Sequence, residues 1–208
     1  MSKQVLSPPL RVEAVRDQRR QAILDAAYSS FLELGFSRTT TAEIAARARL
    51  SKRTIYEIFS NSKEIFAAVI KERQHLILEL PRPVDEQLSV LETLFKIFRL
   101  DIDYKAEQAR QAVINLLNRE SVMFPELSDY LYESEVIRSR EALIDWLENE
   151  MKRGRLPEID TMICAGMLMD IVFGALSPRR REPEPQLYQI RQEHIKARIK
   201  IFLKGISA

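Results

Sequence analysis

The sequence predicts an all-α fold in two parts, a compact N-terminal group of short helices followed by a larger set of longer ones. Three observations carry this. Apolar residues recur at helical spacing along most of the chain, no run of alternating β-branched residues marks a strand, and only five glycines interrupt 208 residues. The length admits one or two domains with a sizeable core. No internal repeat, low-complexity segment or apolar run of membrane-spanning length occurs, so no membrane partner is expected, and the first residues lack the apolar stretch of a secretory signal. Cys164 is the single cysteine, which leaves no internal disulfide to form and fits a reducing cytoplasm.

Taken in order, residues 1–17, with Lys3, Arg11, Arg16 and the pair Pro8-Pro9, read as a flexible arm, either an untethered tail or a minor-groove contact. A first helix follows over Arg19 to Leu34, its stripe made by Ile23, Ala26, Ala27, Phe31 and Leu34, with Gly35 as its C-cap. Thr40 stands three residues before Glu43 and predicts a capping box opening a second helix, Thr41 to Ala48, whose Ile44, Ala45 and Ala48 face inward. Ser51 is the N-cap of a third helix, Lys52 to Phe59. Along it, Ile55, Ile58 and Phe59 gather on one side and leave Lys52, Arg53 and Tyr56 on the other. Two cations and a phenol suit a DNA groove: the cations meet phosphate or guanine edges, and the phenol bonds phosphate or packs on a thymine methyl. An ordinary solvated face is the other reading of the same residues.

These residues carry a resemblance to a known family. Gly35, Phe36, Thr39, Thr40, Ile44, Ala45, Ala48, Ser51, Thr54, Tyr56, Phe59, Lys63 and Glu64 stand in the order of the DNA-binding domain of TetR-type transcriptional repressors. The resemblance runs from about Arg19 to Val69 and implies a helix-turn-helix head spanning 18–75. It implies DNA contacts from Thr40, Thr41, Ser51, Lys52, Arg53, Thr54, Tyr56 and Lys63, with Thr40 or Thr41 and Tyr56 on the backbone, Lys52, Arg53 and Thr54 near base edges, and Lys63 on phosphate. Two departures stand out. Arg49 occupies the turn position where the family has Gly, which predicts a strained left-handed backbone or a different turn. Ser60-Asn61-Ser62 is one residue longer than the common spacing, with Ser62 the expected cap of the next helix.

Charge follows the same division. Through Arg73 the chain has thirteen Lys and Arg against eight Asp and Glu, a net +5, and the remainder has nineteen against twenty-two, a net −3. The basic charge lies with the groove-reading helix, while the mild +2 of the whole chain predicts modest nonspecific affinity for double-stranded DNA.

Residues 76–208 read as a helical effector-binding and dimerisation domain, with a hinge at Leu80-Pro81-Arg82-Pro83. Helices are expected over Val84 to Asp101, Glu107 to Met123, Leu127 to Arg153, Ile159 to Leu176 and Gln186 to Leu203, punctuated in part by Pro178 to Pro185. Arg119-Glu120, Phe124-Pro125-Glu126-Leu127 and Gly154-Arg155-Leu156 resemble the AefR-like branch of the same family. The nearly all-apolar helix with Met162, Gly166, Met169 and Phe173 and the stripe Tyr188, Ile195, Ile199 and Phe202 predict a homodimer interface, a fully internal core helix being the alternative. Phe95, Phe98, Tyr104, Asn115, Asn118, Met123, Trp146 and Cys164 are candidates for lining a pocket for a small organic effector, though each also reads as core or surface.

Catalysis is not expected. The chain has no Gly-rich phosphate loop and two histidines, and Glu72-x-x-His75 is half of a di-iron ligand set whose other half fails because Arg191 stands three before His194. Cys164, in an apolar helix, reads as core and not nucleophile. No metal or cofactor is expected. The fitting function is a one-component transcriptional repressor released by a small molecule. An architectural or division-related DNA binder with the same head is the alternative.

Overall fold

The structure is a computed structural model that describes residues 8–83, 85–176 and 185–207. Its helices are α1 (Pro8–Leu34), α2 (Thr41–Ala48), α3 (Lys52–Tyr56), α4 (Ser62–Ile77), α5 (Val90–Ile97), α6 (Tyr104–Met123), α7 (Pro125–Glu133), α8 (Ser139–Lys152), α9 (Thr161–Leu176) and α10 (Pro185–Ile206). No strand occurs among the described residues, so the all-α expectation holds. None of these helices is long and apolar enough to cross a membrane.

The chain forms two compact units. The first comprises residues 8–73 with 115–136, and the second comprises 74–114 with 137–207. Helix α6 is shared between them, its residues 115–123 counting with the first. A boundary drawn at 75/76 from sequence does not show this. The reason is an aromatic cluster: Phe36, following the Gly35 cap, meets Phe66 at 5.4 Å and Phe124 at 5.7 Å, and Phe31 meets Phe66 at 5.0 Å. Arg119 Nη2 donates to the Phe31 carbonyl at 2.9 Å, a second donor to an acceptor at the end of α1 that also receives the Gly35 amide at 3.0 Å. Gly35 has φ +80, and an added Cβ would lie 3.3 Å from Glu120 Oε1. The left-handed backbone favours glycine there, and a side chain would also have to displace the Glu120 carboxylate by a few tenths of an ångström.

Helix α1 begins at Pro8, so residues 8–17, expected as arm, are helical. Proline is tolerated in a first helical turn, where its missing N–H has no partner to lose. Lys3 and the rest of 1–7 lie outside the described residues, as do 177–184, where the Pro178 punctuation falls.

Several helix ends depart from expectation for one reason. Helix α5 runs over Val90–Ile97 and not Val84 to Asp101, opening on a full capping box between Ser89 and Glu92 and stopping at Arg99 with φ 52. The expected single helix over Leu127 to Arg153 is broken by Glu135, with φ 59. In each, the residue after the left-handed one donates to the carbonyl five positions back: Leu100 to Phe95 and Val136 to Leu131, both at 2.9 Å. These are Schellman closures built without glycine.

The second unit packs α8 against α9, α9 against α10, and α10 against α5. Its core holds Leu94, Ile97, Phe98, Trp146, Leu147, Leu168, Val172, Ile195 and Ile199.

Candidate nucleic-acid interface

The interface is built from caps. Thr40, extended at φ −100 and ψ 156, accepts from the Glu43 amide at 3.1 Å. The reciprocal half of the expected capping box does not form. Glu43 instead accepts from Arg47 Nε at 2.8 Å, because Arg47 reaches across to Glu33 of α1 with bonds of 2.8 and 2.6 Å. The fork clamps α2 to α1, and hydrogen bonding by Arg47 lowers the Glu33 carboxyl below its usual range. Ile44, fully buried, and Ala45 fix the inner face of α2.

The turn keeps its geometry without glycine. Arg49 adopts φ 55 and ψ 39, its amide donating to Ala46 O at 3.2 Å while Leu50 N donates to Ala45 O at 3.0 Å. This is the left-handed option of the two expected, and the side chain points to solvent. Ser51 then caps α3, its Oγ accepting from Thr54 N at 3.1 Å and lying 2.9 Å from Thr54 Oγ1. Regular helix ends at Tyr56, three residues short of expectation, yet Phe59 N still bonds Ile55 O at 2.8 Å and carries the turn onward. Ile55 and Phe59 are buried, whereas Ile58 is half-buried.

The opposite face is open. Lys52 and Arg53 are exposed, the Arg53 side chain at 89% even while Nε meets Glu57 at 3.0 Å, an exposed pair of little energetic weight. Tyr56 is 57% exposed, and its hydroxyl lies 3.2 Å from Thr41 Oγ1. Thr41 is half-buried and Thr40 exposed, so the start of α2 and the outer face of α3 present hydroxyls and cations together. Thr54 is half-buried and bonded to Ser51, a contact that uses one of the two hydroxyl protons and leaves the other free to donate. Lys63, half-buried, sits in the first turn of α4, as expected. Its cap is Asn61 and not Ser62: Asn61 Oδ1 accepts from Glu64 N at 2.9 Å, and Glu64 returns to Ser60 N at 2.6 Å. The extra residue is thereby absorbed into a capping loop. Arg20, which the motif did not single out, lays its guanidinium 5.1 Å from the Phe59 ring centroid and adds a cation beside α3. No spacing rule connects residue 20 to residue 59, so only packing reveals it.

The expected effector residues do not form one set. Asn115, Asn118 and Met123 belong to the first unit and are exposed, Met123 at 65%, because α6 is divided between the units. In the second unit a cleft of about 330 Å³ is lined by Trp146 with Gln74, Leu78, Arg138, Asp145 and Asn149. Phe98 is fully buried against Phe173, Cys164 is buried with its thiol pushed up by burial, and Phe95 and Tyr104 are half-buried. Of the eight, only Trp146 lines this cleft.

The expected dimer stripe on α10 lies inside the chain. Tyr188, Ile195, Ile199 and Phe202 are buried within the chain, because this face packs on α5 and α9. The apolar residues α10 leaves outside are Leu187, Ile190 and Ile201, with exposed His194 and Ala197 on the same stripe. On α9 the exposed set is Met162, Ile163 and Met167, while Gly166, Met169 and Phe173 are half-buried.

Comparison with known proteins accords with this architecture. Residues 23–69 match the family described as bacterial regulatory proteins, tetR family, and residues 92–205 match the AefR-like transcriptional repressor C-terminal domain. The chain is 25% identical over 192 residues to the HTH-type transcriptional regulator YvkB of Bacillus subtilis, covering 89% of this chain and 96% of YvkB. It is 26% identical over 175 residues to the HTH-type transcriptional repressor BepR of Brucella suis, covering 80% and 83%. The solved structure of Salmonella enterica GusR superposes with a TM-score of 0.67 over 96% of this chain and 98% of that one, at 20% identity, a likeness of fold alone. With a tetR-family head over residues 23–69 and an AefR-like repressor domain over residues 92–205, the chain belongs to the TetR family of bacterial transcriptional regulators.

Proposed function

We propose that this protein is a cytoplasmic repressor that binds a pseudo-palindromic operator as a homodimer and leaves it when a small molecule occupies the second unit. The observation that carries the DNA-reading half is the outer face of α3: Lys52, Arg53 and Tyr56 stand free of the core, with Tyr56 held by Thr41, while Ile55 and Phe59 anchor the same helix inside. Lys52 and Lys63 supply phosphate contacts, Arg53 reaches base edges, and Tyr56 with Thr40 or Thr41 sets the register. Ser51 and Thr54 act mainly by shaping the turn of α3, since their hydroxyls already bond one another.

The exposed strip of Leu187, Ile190 and Ile201 on α10, beside Met162, Ile163 and Met167 on α9, is the surface through which two copies pair. Pairing brings two α3 helices to two half-sites of one duplex. Repression is favoured over activation by the similarity to BepR, a repressor by name.

The deciding experiment is selection of bound sequences from random duplex DNA, followed by fluorescence anisotropy on the selected duplex at fixed salt. A selected sequence with inverted symmetry, and an affinity that falls when a small molecule stabilises the protein, supports the reading. A selected site without symmetry, or an affinity insensitive to every stabilising compound, favours an architectural DNA binder instead.

A further inference from the structure

Inside the second unit, α6 and α10 bury a cluster of polar side chains that the DNA-binding reading does not use. Glu107 and Arg110 lie on α6, Arg191 and Gln192 on α10. Arg110 is 1% exposed and Gln192 4%. Glu107 is ion-paired with Arg110 and accepts from Arg191 Nη2 at 3.2 Å, while Arg110 Nη1 donates to the Phe98 carbonyl at 2.6 Å. The inventory then fails to close. Arg110 Nε, Arg191 Nε and both polar atoms of the Gln192 amide have no hydrogen-bond partner among the described residues.

Buried polar groups in folded proteins are nearly always paired, and a buried donor without an acceptor is costly. The charge does not balance either. Arg110 and Arg191 against Glu107 leave one net positive charge. Asp103, the other acid acting on neighbouring Tyr188, is exposed and engaged in capping α6 through the Ala106 amide. Tyr188 is satisfied, its hydroxyl donating to the Ile102 carbonyl at 2.6 Å. The unfilled donors, Arg110 Nε, Arg191 Nε and Gln192 Nε2, outnumber the one unfilled acceptor of the amide, Gln192 Oε1, and with the surplus positive charge the partner that would fill most of them is an acceptor carrying about one negative charge. Aromatic rings adjoin it: the Arg191 guanidinium lies 5.8 Å from the Tyr188 ring centroid, and Tyr104 packs on Tyr188 at 5.7 Å. Burial pushes the Arg110 guanidinium below and the Glu107 carboxyl above their ordinary ranges, desolvation outweighing their attraction for one another.

We propose that the Arg110–Arg191–Gln192 cluster is the effector site, and that its ligand is a small monocarboxylate with an apolar body. The carboxylate accepts from Arg110 Nε, Arg191 Nε and the Gln192 amide N–H, and the apolar body packs on the aromatic side chains. Arg191 is only partly buried, so it gives the anion a route from solvent. This rests on the effector-release reading above and specifies which chemistry releases the operator.

The test is calorimetric titration of the full chain with benzoate and octanoate, each beside its neutral counterpart, benzamide and octanamide. At least one acid binds, and its amide binds about tenfold or more weakly. Gln192→Leu and Arg191→Gln each weaken acid binding by about tenfold, and for Gln192→Leu the unliganded melting temperature holds or rises because a buried amide with neither polar atom paired has been removed. Should Gln192→Leu fail to fold, Arg191→Gln decides. Amides binding as well as acids, variants with unchanged acid affinity, or no acid binding at millimolar concentration overturns the site. Operator anisotropy separates the two readings. Acid that binds through these residues without releasing DNA upholds the site and defeats effector release. A neutral compound that releases DNA from wild type and Gln192→Leu alike upholds effector release and defeats this assignment.

Discussion

The hydroxyl of Thr41, in the first turn of α2, lies 3.2 Å from the phenol oxygen of Tyr56, in the last turn of α3. One hydrogen bond thus ties the start of one helix to the exposed end of the next. Because Tyr56 remains more than half exposed, the bond positions a group that makes little contribution to the core.

Tyr56→Phe separates position from packing. The ring stays, the bond to Thr41 is lost, and folding stability changes by less than about 1 kcal/mol. Operator affinity falls by roughly tenfold at fixed salt in fluorescence anisotropy, the scale of one lost hydrogen bond. Unchanged affinity would remove Tyr56 from the interface.

Lys52→Ala tests the phosphate role. The side chain is exposed at the start of α3, so the variant keeps the wild-type melting temperature. Binding weakens on operator and random duplex alike, and the slope of log affinity against log salt drops by about 1. A loss confined to the operator would instead assign Lys52 to a base edge.

Arg49→Gly restores freedom at a position where the backbone is left-handed at φ 55. The variant is more stable by about 1 kcal/mol, a rise of roughly 2–4 °C in melting temperature for a chain of this size. Operator affinity measured alongside shows whether the exposed guanidinium also touches phosphate: a drop despite the added stability assigns it that contact.

Two neighbouring isoleucines on α10 discriminate core from interface. Ile199 is 0% exposed and Ile201 is 69% exposed. Ile199→Glu buries an unpaired charge and prevents folding, seen as loss of the cooperative melt by circular dichroism. Ile201→Glu leaves a folded chain that elutes as a monomer in size-exclusion chromatography with light scattering. A dimer surviving Ile201→Glu places the pairing surface elsewhere.

The head was legible in the sequence to the residue in places. Thr40 and Ser51 are caps because a short hydroxyl after extended backbone has one good use, and α2 spans Thr41–Ala48 as read. The inward placement of Ile44, Ile55 and Phe59 follows from spacing along a helix of known pitch, which is a local property. The second unit was harder. Arg99 and Glu135 stop helices in a left-handed conformation that glycine would have announced, so α5 and the α7–α8 pair were drawn too long.

Local chemistry, then, determined the all-α class, the caps and the split of α3 into an anchored face and a polar one, because each depends on residues within a turn or two of each other. Tertiary structure alone decided which apolar stripe of α10 is core: periodicity shows that a face is greasy, but whether α5 and α9 of the same chain cover it depends on distant packing. It likewise decided that 115–136 joins the head through Phe124 on Phe36, and that Arg191 of α10 reaches Glu107, the partner of buried Arg110 on α6. Both facts join residues dozens of positions apart, and no local rule of helix chemistry reaches that far.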